Sequence, residues 1–137
     1  MFVSNRALGK PAYQSSTGYG GSASRAVDGN TSGNYGDGST THTNADGGAW
    51  WQVDLQRATQ VQQVVVHNRT DCCSDRLANF HVELRDASNH TVARRDFQGG
   101  APARSVFEFG GIVAHSVVVQ LKGSNYLSLA EVQVMGR

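Results

Sequence analysis

Short stretches of alternating apolar and polar residues run through most of this chain. In residues 51–55 and again in residues 80–85, every second residue is apolar, which is the period of a strand with one buried face. Residues 61–66 are denser in valine, as is typical of a strand that is buried on both faces. Further strand candidates follow at 92–97, 105–109, 113–121 and 131–135. No segment of about 10 or more residues carries an apolar helical stripe, so the pattern predicts an all-β protein.

Glycine, proline, asparagine and serine separate these strand candidates. They cluster at residues 87–90, 99–102, 110–111 and 123–125, where they predict turns. About eight short strands joined by such turns favour an antiparallel β-sandwich or jelly roll. The chain has 137 residues, without an internal repeat or a linker, and this length suits one hydrophobic core. We therefore expect a single domain over 1–137.

The charge balance excludes some classes of partner. The formal charge is +1 and 17% of the residues are charged, so no overall field attracts nucleic acid or an anionic membrane. No apolar run approaches the ~20 residues of a membrane-spanning helix, and we expect no membrane insertion. Residues 1–4 lack the basic start and apolar core of a signal peptide. We expect a mature domain, or one excised from a larger protein that has companion domains.

A long polar segment at residues 15–48 is unusual for a simple β-sandwich, in which the loops are short. Loops of this length inside a compact domain are usually functional or disordered, so something must anchor this one. A hard cation such as calcium would bind oxygen ligands, of which Asp28, Asn30, Asp37, Ser39 and Glu131 are available. The alternative is that residues 28–30 form a plain turn, which for Asp-Gly-Asn is the more common outcome.

The only two cysteines, Cys72 and Cys73, are adjacent and are flanked by Arg69 and Arg76. Adjacent Cα atoms lie ~3.8 Å apart, below the usual disulfide range of ~4.4–6.8 Å. The residues alone therefore favour two free thiols. Two thiols without a nearby pair of histidines make a poor zinc site, and a redox dithiol would need a spacer between the cysteines.

The two arginines would usually be solvated surface residues, but they share one loop between the strands at 61–66 and 80–85. Asp71 and Asp75 can pair with them and orient the guanidinium groups. Guanidinium groups held rigidly in this way would donate hydrogen bonds to a neutral ligand with many hydroxyl groups, such as a sugar. His42 can add a further donor.

The spacing of these residues resembles the F-type lectin (fucolectin) family, a calcium-bearing branch of the discoidin-like jelly rolls. The family signature is a His, twenty-six residues, Arg-x-Asp, four residues, then Arg or Lys. Here twenty-six residues separate His42 from Arg69, Asp71 follows, and four residues including the cysteine pair precede Arg76. The resemblance extends over nearly the whole chain, through blocks at residues 5–16, 26–30, 50–55 and 129–134.

The resemblance implies a site for α-L-fucose. In the family, the histidine and the two basic residues hydrogen-bond the ring oxygen and hydroxyls of the sugar, including the axial 4-hydroxyl, and a vicinal disulfide packs against one sugar edge. These roles correspond here to His42, Arg69, Arg76 and a Cys72–Cys73 disulfide. Asp71 is expected to orient the arginines. Tyr35 stands where the family places an aromatic near the sugar methyl group, and Tyr19 is a candidate rim contact.

The resemblance also implies a structural calcium ion that shapes the loop carrying His42. The matching ligand positions are Arg25 and Asn30 (through backbone carbonyls), Asp28, Ser39, Ala130 (backbone) and Glu131. Animal members often have cysteines where Thr40 and Ala130 stand here. Without that bridge, we expect the loop to depend more on calcium and on packing.

The resulting prediction is a non-catalytic lectin domain for terminal α-L-fucose, with fucosylated glycans as partners and no nucleic acid. Two alternatives remain: a galactose-type carbohydrate-binding module that targets a glycoside hydrolase, and a discoidin-type adhesion module. We expect a secreted or extracellular location. Glycosylation sequons occur at Asn30, Asn68 and Asn89, two of them at the predicted sites. We interpret them as chance matches, which favours a bacterial source.

Overall fold

Antiparallel strands make up the fold in the computed structural model, which describes residues 2–137; Met1 of the predicted domain lies outside the described residues. The nine strands there are β1 (Ser4–Asn5), β2 (Ala12–Gln14), β3 (Asp46–Gly47), β4 (Trp50–Asn68), β5 (Ala78–Arg85), β6 (Thr91–Gly100), β7 (Arg104–Leu121), β8 (Ser124–Asn125) and β9 (Leu129–Gly136). Three short 3₁₀ helices span Ala23–Val27, Tyr35–Asp37 and Ser74–Arg76. The prediction of an all-β antiparallel fold is confirmed.

Two long strands, β4 and β7, carry both halves of the sandwich. Each combines two strands that the sequence predicted separately: 51–55 with 61–66, and 105–109 with 113–121. The pairing of β4 with β7 shifts register between Asp54 and Thr59, where Gln56 has a positive φ of 66°. In β7, Gly110 and Gly111 have φ values of 65° and 94°, which glycine adopts at little cost. The turn predicted at 110–111 is therefore a bend inside a continuous strand.

The two halves use different neighbours. At one end, residues 51–53 of β4 pair with β2 and residues 50–54 of β4 pair with β7. Residues 116–121 of β7 pair with β5, which in turn pairs with β6. At the other end, residues 61–68 of β4 pair with β9 and with the first part of β7. Phe80, Phe97 and Phe107 join the halves, with ring centroids 5.2–6.1 Å apart. Alternation along each strand thus places one apolar face on a shared core.

The long segment before β4 is held by the core beneath it. The indole of Trp51 is fully buried and donates through Nε1 to Ala23 O at 3.0 Å. Farther along, Thr41 N and Thr43 N donate to Leu129 O and Leu127 O at 2.9 and 3.0 Å. Residues 39–43 are buried as a result, so hydrogen bonds of the polypeptide itself anchor much of the loop.

Within residues 2–137, no helix has the length and apolarity that a membrane span requires.

Candidate functional site

Three chain segments meet in a pocket of about 280 Å³ at one end of the sandwich. The segments are the long loop before β4, the loop between β4 and β5, and the turn that leads into β9. All the predicted sugar-site residues except Asp71 line this pocket, together with one further tyrosine, Tyr126. The lining consists of Tyr19, Tyr35, His42, Arg69, Cys72, Cys73, Arg76 and Tyr126.

His42 lies at the back of the pocket with only 3% of its surface exposed. Its Nδ1 is 2.6 Å from Thr43 O, and because a carbonyl only accepts, Nδ1 carries the proton. Burial lowers the pKa of His42 below its usual 6.5, and the charges of Arg69 and Arg76 act in the same direction against that hydrogen bond. The ring is therefore neutral near pH 7, and Nε2 is an acceptor. In this tautomer Nδ1–H is the ring's only donor, and it is already bonded to Thr43 O.

Glycine at position 21 allows the chain to pass close to this histidine. A Cβ on Gly21 would lie 2.6 Å from the Cβ of His42, closer than packed atoms allow. The backbones are joined there, since His42 N donates to Gly21 O at 2.9 Å and Gly18 N donates to His42 O at 2.8 Å. The glycine-rich loop at 18–21 thus fixes the position of the imidazole.

Arg69 is held in a two-point ion pair. Its Nε lies 2.8 Å from Asp71 Oδ1 and its Nη2 lies 3.2 Å from Asp71 Oδ2. Hydrogen bonds from Arg69 lower the pKa of Asp71 to about 2. The guanidinium also stacks 4.7 Å from the ring centroid of Tyr35, whose hydroxyl donates to Tyr19 O at 2.6 Å. Asp71 therefore pairs with one of the two arginines, Arg69, and Nη1 of Arg69 is left free of the carboxylate.

Arg76 is held differently. Its guanidinium lies 4.6 Å from the ring centroid of Tyr126, a cation–π contact worth roughly 0.5–1 kcal/mol at a partly exposed position. Among residues 2–137, no acidic side chain forms a salt bridge with Arg76, so the expected pairing with Asp75 is wrong. Arg76 therefore faces the pocket with its guanidinium donors available.

Cys72 and Cys73 form a disulfide across a trans peptide, with Cα atoms 3.8 Å apart. The free thiols favoured by the residues alone are therefore wrong, and the disulfide implied by the family resemblance is confirmed. Cys73 has a positive φ of 62° and opens the 3₁₀ helix Ser74–Arg76. The bond lies on the pocket wall, where it presents two sulfur atoms without strong hydrogen-bonding capacity.

Backbone contacts tie the loop that carries the arginines to the long loop and to the core. Gly33 O accepts from Thr70 N at 2.8 Å, and a Cβ on Gly33 would crowd Asn68 O at 2.9 Å. The buried amide of Asn68 donates to Ser74 O and Ala101 O at 2.9 and 3.2 Å. A glycan on Asn68 would have to displace these bonds, so this sequon does not act as an acceptor in the folded domain.

A second cluster lies where the long loop meets β9. Glu131 is fully buried; its Oε2 accepts from Gly29 N at 2.8 Å, and its Oε1 has no hydrogen-bond partner within residues 2–137. Burial raises the pKa of Glu131 to about 8, and the nearby charge of Asp28 adds to the increase. Two close carboxylates, one with an orphaned buried oxygen, have the donor chemistry of a hard cation. The residues fit the calcium ion that the family resemblance implies.

The other predicted calcium ligands surround this pair less directly. Asn30 N donates to Asp28 Oδ1 at 2.9 Å, Ser39 Oγ is bonded to Ser32 O, and Ala130 is buried next to Glu131. Arg25 Nη1 lies 3.4 Å from Thr40 O. No three His, Cys, Asp or Glu side chains converge on a metal-sized space in the described chain, so backbone carbonyls would have to complete the coordination.

Sequence reasoning missed Tyr126, which stacks on Arg76 and also lies 5.2 Å from the imidazole of His42. Tyr126 stands alone in a polar turn after β8, fifty positions from Arg76. A lone large aromatic in a polar turn is the one signal that would have identified it. Tyr19, expected at the rim, lies 4.9 Å from the same imidazole.

Comparisons with known proteins agree with this geometry. The sequence model of the NedA-like, galactose-binding domain family (F5/F8 type C) matches residues 25–119. Fucolectin-3 of Anguilla japonica is 30% identical over 118 residues, which are 82% of this chain and 65% of that protein. The chain thus spans somewhat less than two thirds of this relative.

Two solved structures are closer in sequence. A fucose binding module of Streptococcus pneumoniae is 42% identical, with a TM-score of 0.94, over 97% of this chain and 95% of the other. The lectin domain of lectinolysin, solved with Lewis B antigen, is 47% identical, with a TM-score of 0.92, over 95% and 94%. The matched family, these likenesses and the His42–Arg69–Arg76 pocket agree: the chain belongs to the NedA-like galactose-binding domain family, and within it the chain is similar to fucolectins and fucose-binding modules.

Proposed function

We propose that this domain is a lectin that binds a terminal α-L-fucose residue of glycans in the pocket between His42, Arg69 and Arg76. The observation that carries the proposal is the composition of the pocket wall: one neutral acceptor, two guanidinium donors and an apolar disulfide around a space of about 280 Å³. A neutral sugar presents hydroxyl groups on one edge and carbon–hydrogen groups on another, and this wall complements both.

Each group has a separate role in this proposal. Nε2 of His42 accepts from a sugar hydroxyl, because Nδ1–H is committed to Thr43 O. The guanidinium groups of Arg69 and Arg76 donate to other sugar oxygens, as charge-assisted hydrogen bonds that are stronger than neutral ones. The Cys72–Cys73 sulfur atoms pack against a carbon edge of the ring.

Tyr35 is proposed to distinguish fucose from galactose. Its ring lies near Arg69 and Arg25, whose guanidinium carbons are 4.7 and 5.6 Å from its centroid, and its hydroxyl donates to Tyr19 O. An aromatic face held in place favours the methyl group of a 6-deoxy sugar over a hydroxymethyl group, which would lose its hydration there.

The names of the relatives support the ligand class. One structural neighbour is described as a fucose binding module and another was solved with Lewis B antigen, and Fucolectin-3 carries the same sugar in its name. We infer from these names that fucosylated glycans are the partners of this domain. The relatives are lectins and binding modules, and the proposed role here is binding without catalysis, in an extracellular setting and alongside companion domains.

A calcium ion is proposed to stabilise the loop that carries His42. It would be held by the carboxylates of Asp28 and Glu131, with Ser39 and carbonyl groups of Arg25, Asn30 and Ala130. The ion would supply positive charge between the buried carboxylate of Glu131 and the neighbouring carboxylate of Asp28. Its role is structural, because neither carboxylate lines the sugar pocket.

Isothermal titration with L-fucose and D-galactose tests the sugar site. We expect saturable fucose binding and weaker galactose binding by the native domain. Arg76→Ala should lose binding about 100-fold, the equivalent of one or two charge-assisted hydrogen bonds, with an unchanged melting temperature. Arg57→Ala removes an arginine that lines another recess and should bind normally. Equal binding by Arg76→Ala and Arg57→Ala would refute the assignment, and a preference for galactose would favour the galactose-type module.

A further inference from the structure

The outward face of the sheet at the β2–β4–β7–β5 end carries an arrangement that the sugar pocket does not use. In one cross-strand row, Tyr13 of β2 lies opposite Gln52 of β4, and Gln52 lies opposite Val118 of β7. In the next row, Trp50 of β4 lies opposite Gln120 of β7. Because side chains alternate between faces, the residues of these rows all point away from the core. They place two aromatic rings and two amides side by side.

Two adjoining recesses of about 390 and 360 Å³ follow these rows. Both are lined by Trp50, Gln52 and Asn89, and Asn89 reaches over from the hairpin between β5 and β6. Neither shares a lining residue with the fucose pocket. The two recesses together, which we name the sheet groove, extend from Tyr13 of β2 to Arg85 of β5.

Ionic groups along the sheet groove are already engaged within the protein. Arg85 pairs with Glu83, with Nη2 3.0 Å and Nε 3.1 Å from Oε2. Asp86 Oδ1 accepts from the backbone of the hairpin, at Ser88 N and His90 N, and Asp54 accepts from Gln56 N at 2.8 Å. Arg85 and Glu83 cancel each other's charge, and the remaining ionic groups of the groove, Asp54 and Asp86, are acidic. The groove therefore disfavours an anionic ligand, and an uncharged ligand is the better match.

Amide groups supply the unused hydrogen-bonding capacity. Gln52 Nε2 donates to Asn89 Oδ1 and to Ser116 Oγ, both at 3.1 Å, and Gln120 Nε2 donates to Gly48 O at 3.0 Å. These bonds fix the three amides in place. The carbonyl oxygens of Gln52 and Gln120 and the amide nitrogen of Asn89 make no further hydrogen bond within residues 2–137, so the groove offers fixed acceptors beside a donor.

The aromatic residues add flat apolar surface to these amides. Tyr13 is 54% exposed, and Trp50 is half-buried with its ring on the wall of both recesses. A protein partner would need a desolvated apolar centre, but Val118, the apolar residue at the middle of the row, is only 2% exposed. Accessible aromatic rings interleaved with amides suit a ligand with alternating CH surfaces and hydroxyls.

We propose that the sheet groove is a second glycan-binding site, which takes an extended neutral oligosaccharide. Sugar rings would stack on Trp50 and Tyr13, and their hydroxyls would bond the amides of Gln52, Gln120 and Asn89. This site is independent of the fucose pocket, and the domain would hold a fucosylated chain end and a neutral glycan backbone at separate places. Two simultaneous contacts would raise the apparent affinity for a glycan-rich surface.

Side-chain amide and indole signals in nuclear magnetic resonance test this proposal in the Arg76→Ala variant, where fucose binding is removed. The probes are four neutral hexasaccharides: cellohexaose, xylohexaose, maltohexaose and chitohexaose. At millimolar concentration, at least one should shift the amide signals of Gln52, Gln120 and Asn89 and the indole signal of Trp50. L-Fucose, added to the native domain, should leave these signals in place.

Two variants of the groove and one matched control complete the test. Trp50→Ala and Gln52→Ala should each weaken binding of the hexasaccharide that shifts the signals by about tenfold. If removal of the Trp50 indole disturbs folding, Gln52→Ala still tests the site. Gln62→Ala, on the other half of β4, should bind normally. Failure of all four hexasaccharides to move the groove signals would overturn the proposal. So would shifts of those signals with protein concentration alone, because the groove would then contact a second copy of the chain.

Discussion

The two arginines of the pocket, both part of the sequence signature, are held in different ways. Arg69 has a two-point carboxylate partner in Asp71 and a fixed aromatic neighbour in Tyr35. Arg76 has only the ring of Tyr126 beside it, without a salt bridge in the described part of the chain. One side of the pocket is rigid before the ligand arrives, and the other keeps its rotational freedom.

The difference between the two arginines separates two contributions to affinity: the preorganisation of the guanidinium group and the strength of its hydrogen bonds to the sugar. A fixed guanidinium loses little entropy on binding but has given part of its donor capacity to a carboxylate. A less constrained guanidinium loses more entropy but can direct all its donors at the sugar. We therefore expect Arg69 to contribute to both the architecture and the binding, and Arg76 to contribute to binding alone. The predictions below test this contrast.

The largest effect should come from removing either arginine. Arg69→Ala and Arg76→Ala should each lower fucose affinity by about 100-fold. Arg69→Ala should also lower the melting temperature by a few degrees, because Asp71 loses its partner and Tyr35 loses its stacking contact. Calorimetry of both variants measures the two quantities together.

An unchanged melting temperature in Arg69→Ala would remove the distinction between the two sides of the pocket. Asp71→Asn is the control for orientation. It keeps the arginine but loses the ionic pair, and it should weaken fucose binding by about tenfold.

Removal of calcium should have the next largest effect, concentrated on the Arg69 side. Arg25 contacts both Thr40 O and the Tyr35 ring, which links the Asp28–Glu131 region to the stack on Arg69. Chelation should lower the melting temperature by several degrees and weaken fucose binding, and added calcium should restore both. Atomic absorption establishes the metal content.

Glu131→Gln keeps the shape of the side chain and should make the melting temperature indifferent to chelator. A native domain that contains no calcium, and whose melting temperature is unaffected by chelator, would refute the ion's structural role.

Acid should weaken binding on both sides of the pocket through His42. Burial and the two arginines lower the pKa of His42 below 6.5, so Nε2 stays an acceptor at neutral pH. Protonation at lower pH turns Nε2 into a donor and adds a third positive charge. Fucose affinity should be constant between about pH 7 and 8 and fall several-fold below the pKa of the folded state.

The same shift in pKa sets the sign of the effect on stability. The unfolded chain binds this proton more readily than the folded one, so the contribution of His42 is complete above pH 6.5 and is lost as the pH falls. His90→Ala, which changes an exposed histidine, should leave the pH dependence of binding unaltered. Binding that strengthens in acid would contradict the acceptor role.

The smallest effect is expected at Tyr126. Tyr126→Leu keeps apolar bulk but removes the cation–π contact, and it should weaken fucose binding by about threefold to fivefold with the melting temperature unchanged. Tyr13→Leu, a tyrosine outside the fucose pocket, is the matched control for fucose titration. If Tyr126→Leu lowered fucose affinity as much as Arg76→Ala, the position of Arg76 in the pocket would depend entirely on Tyr126.

The strands and the residues of the pocket could largely be predicted, because each has a local signal. Alternation located the strands, and the spacing from His42 to Arg76 identified the sugar site. The continuity of β4 and β7 could not be predicted. In β7, for example, the pair Gly110–Gly111 is compatible both with a turn between two strands and with a bend inside one strand. Tyr126 was missed because its role depends on a contact between segments fifty residues apart.

The sequence by itself determined which faces are apolar and therefore which residues enter the core, because alternation fixes the side of a strand. It also determined the chemical types in the pocket through the family signature. Only the tertiary structure decided how those types act. The acceptor role of His42 depends on Thr43 O, and the contrast between Arg69 and Arg76 depends on Asp71 and Tyr126. These are properties of distance and direction, which arise only when three distant segments pack at one end of the sandwich.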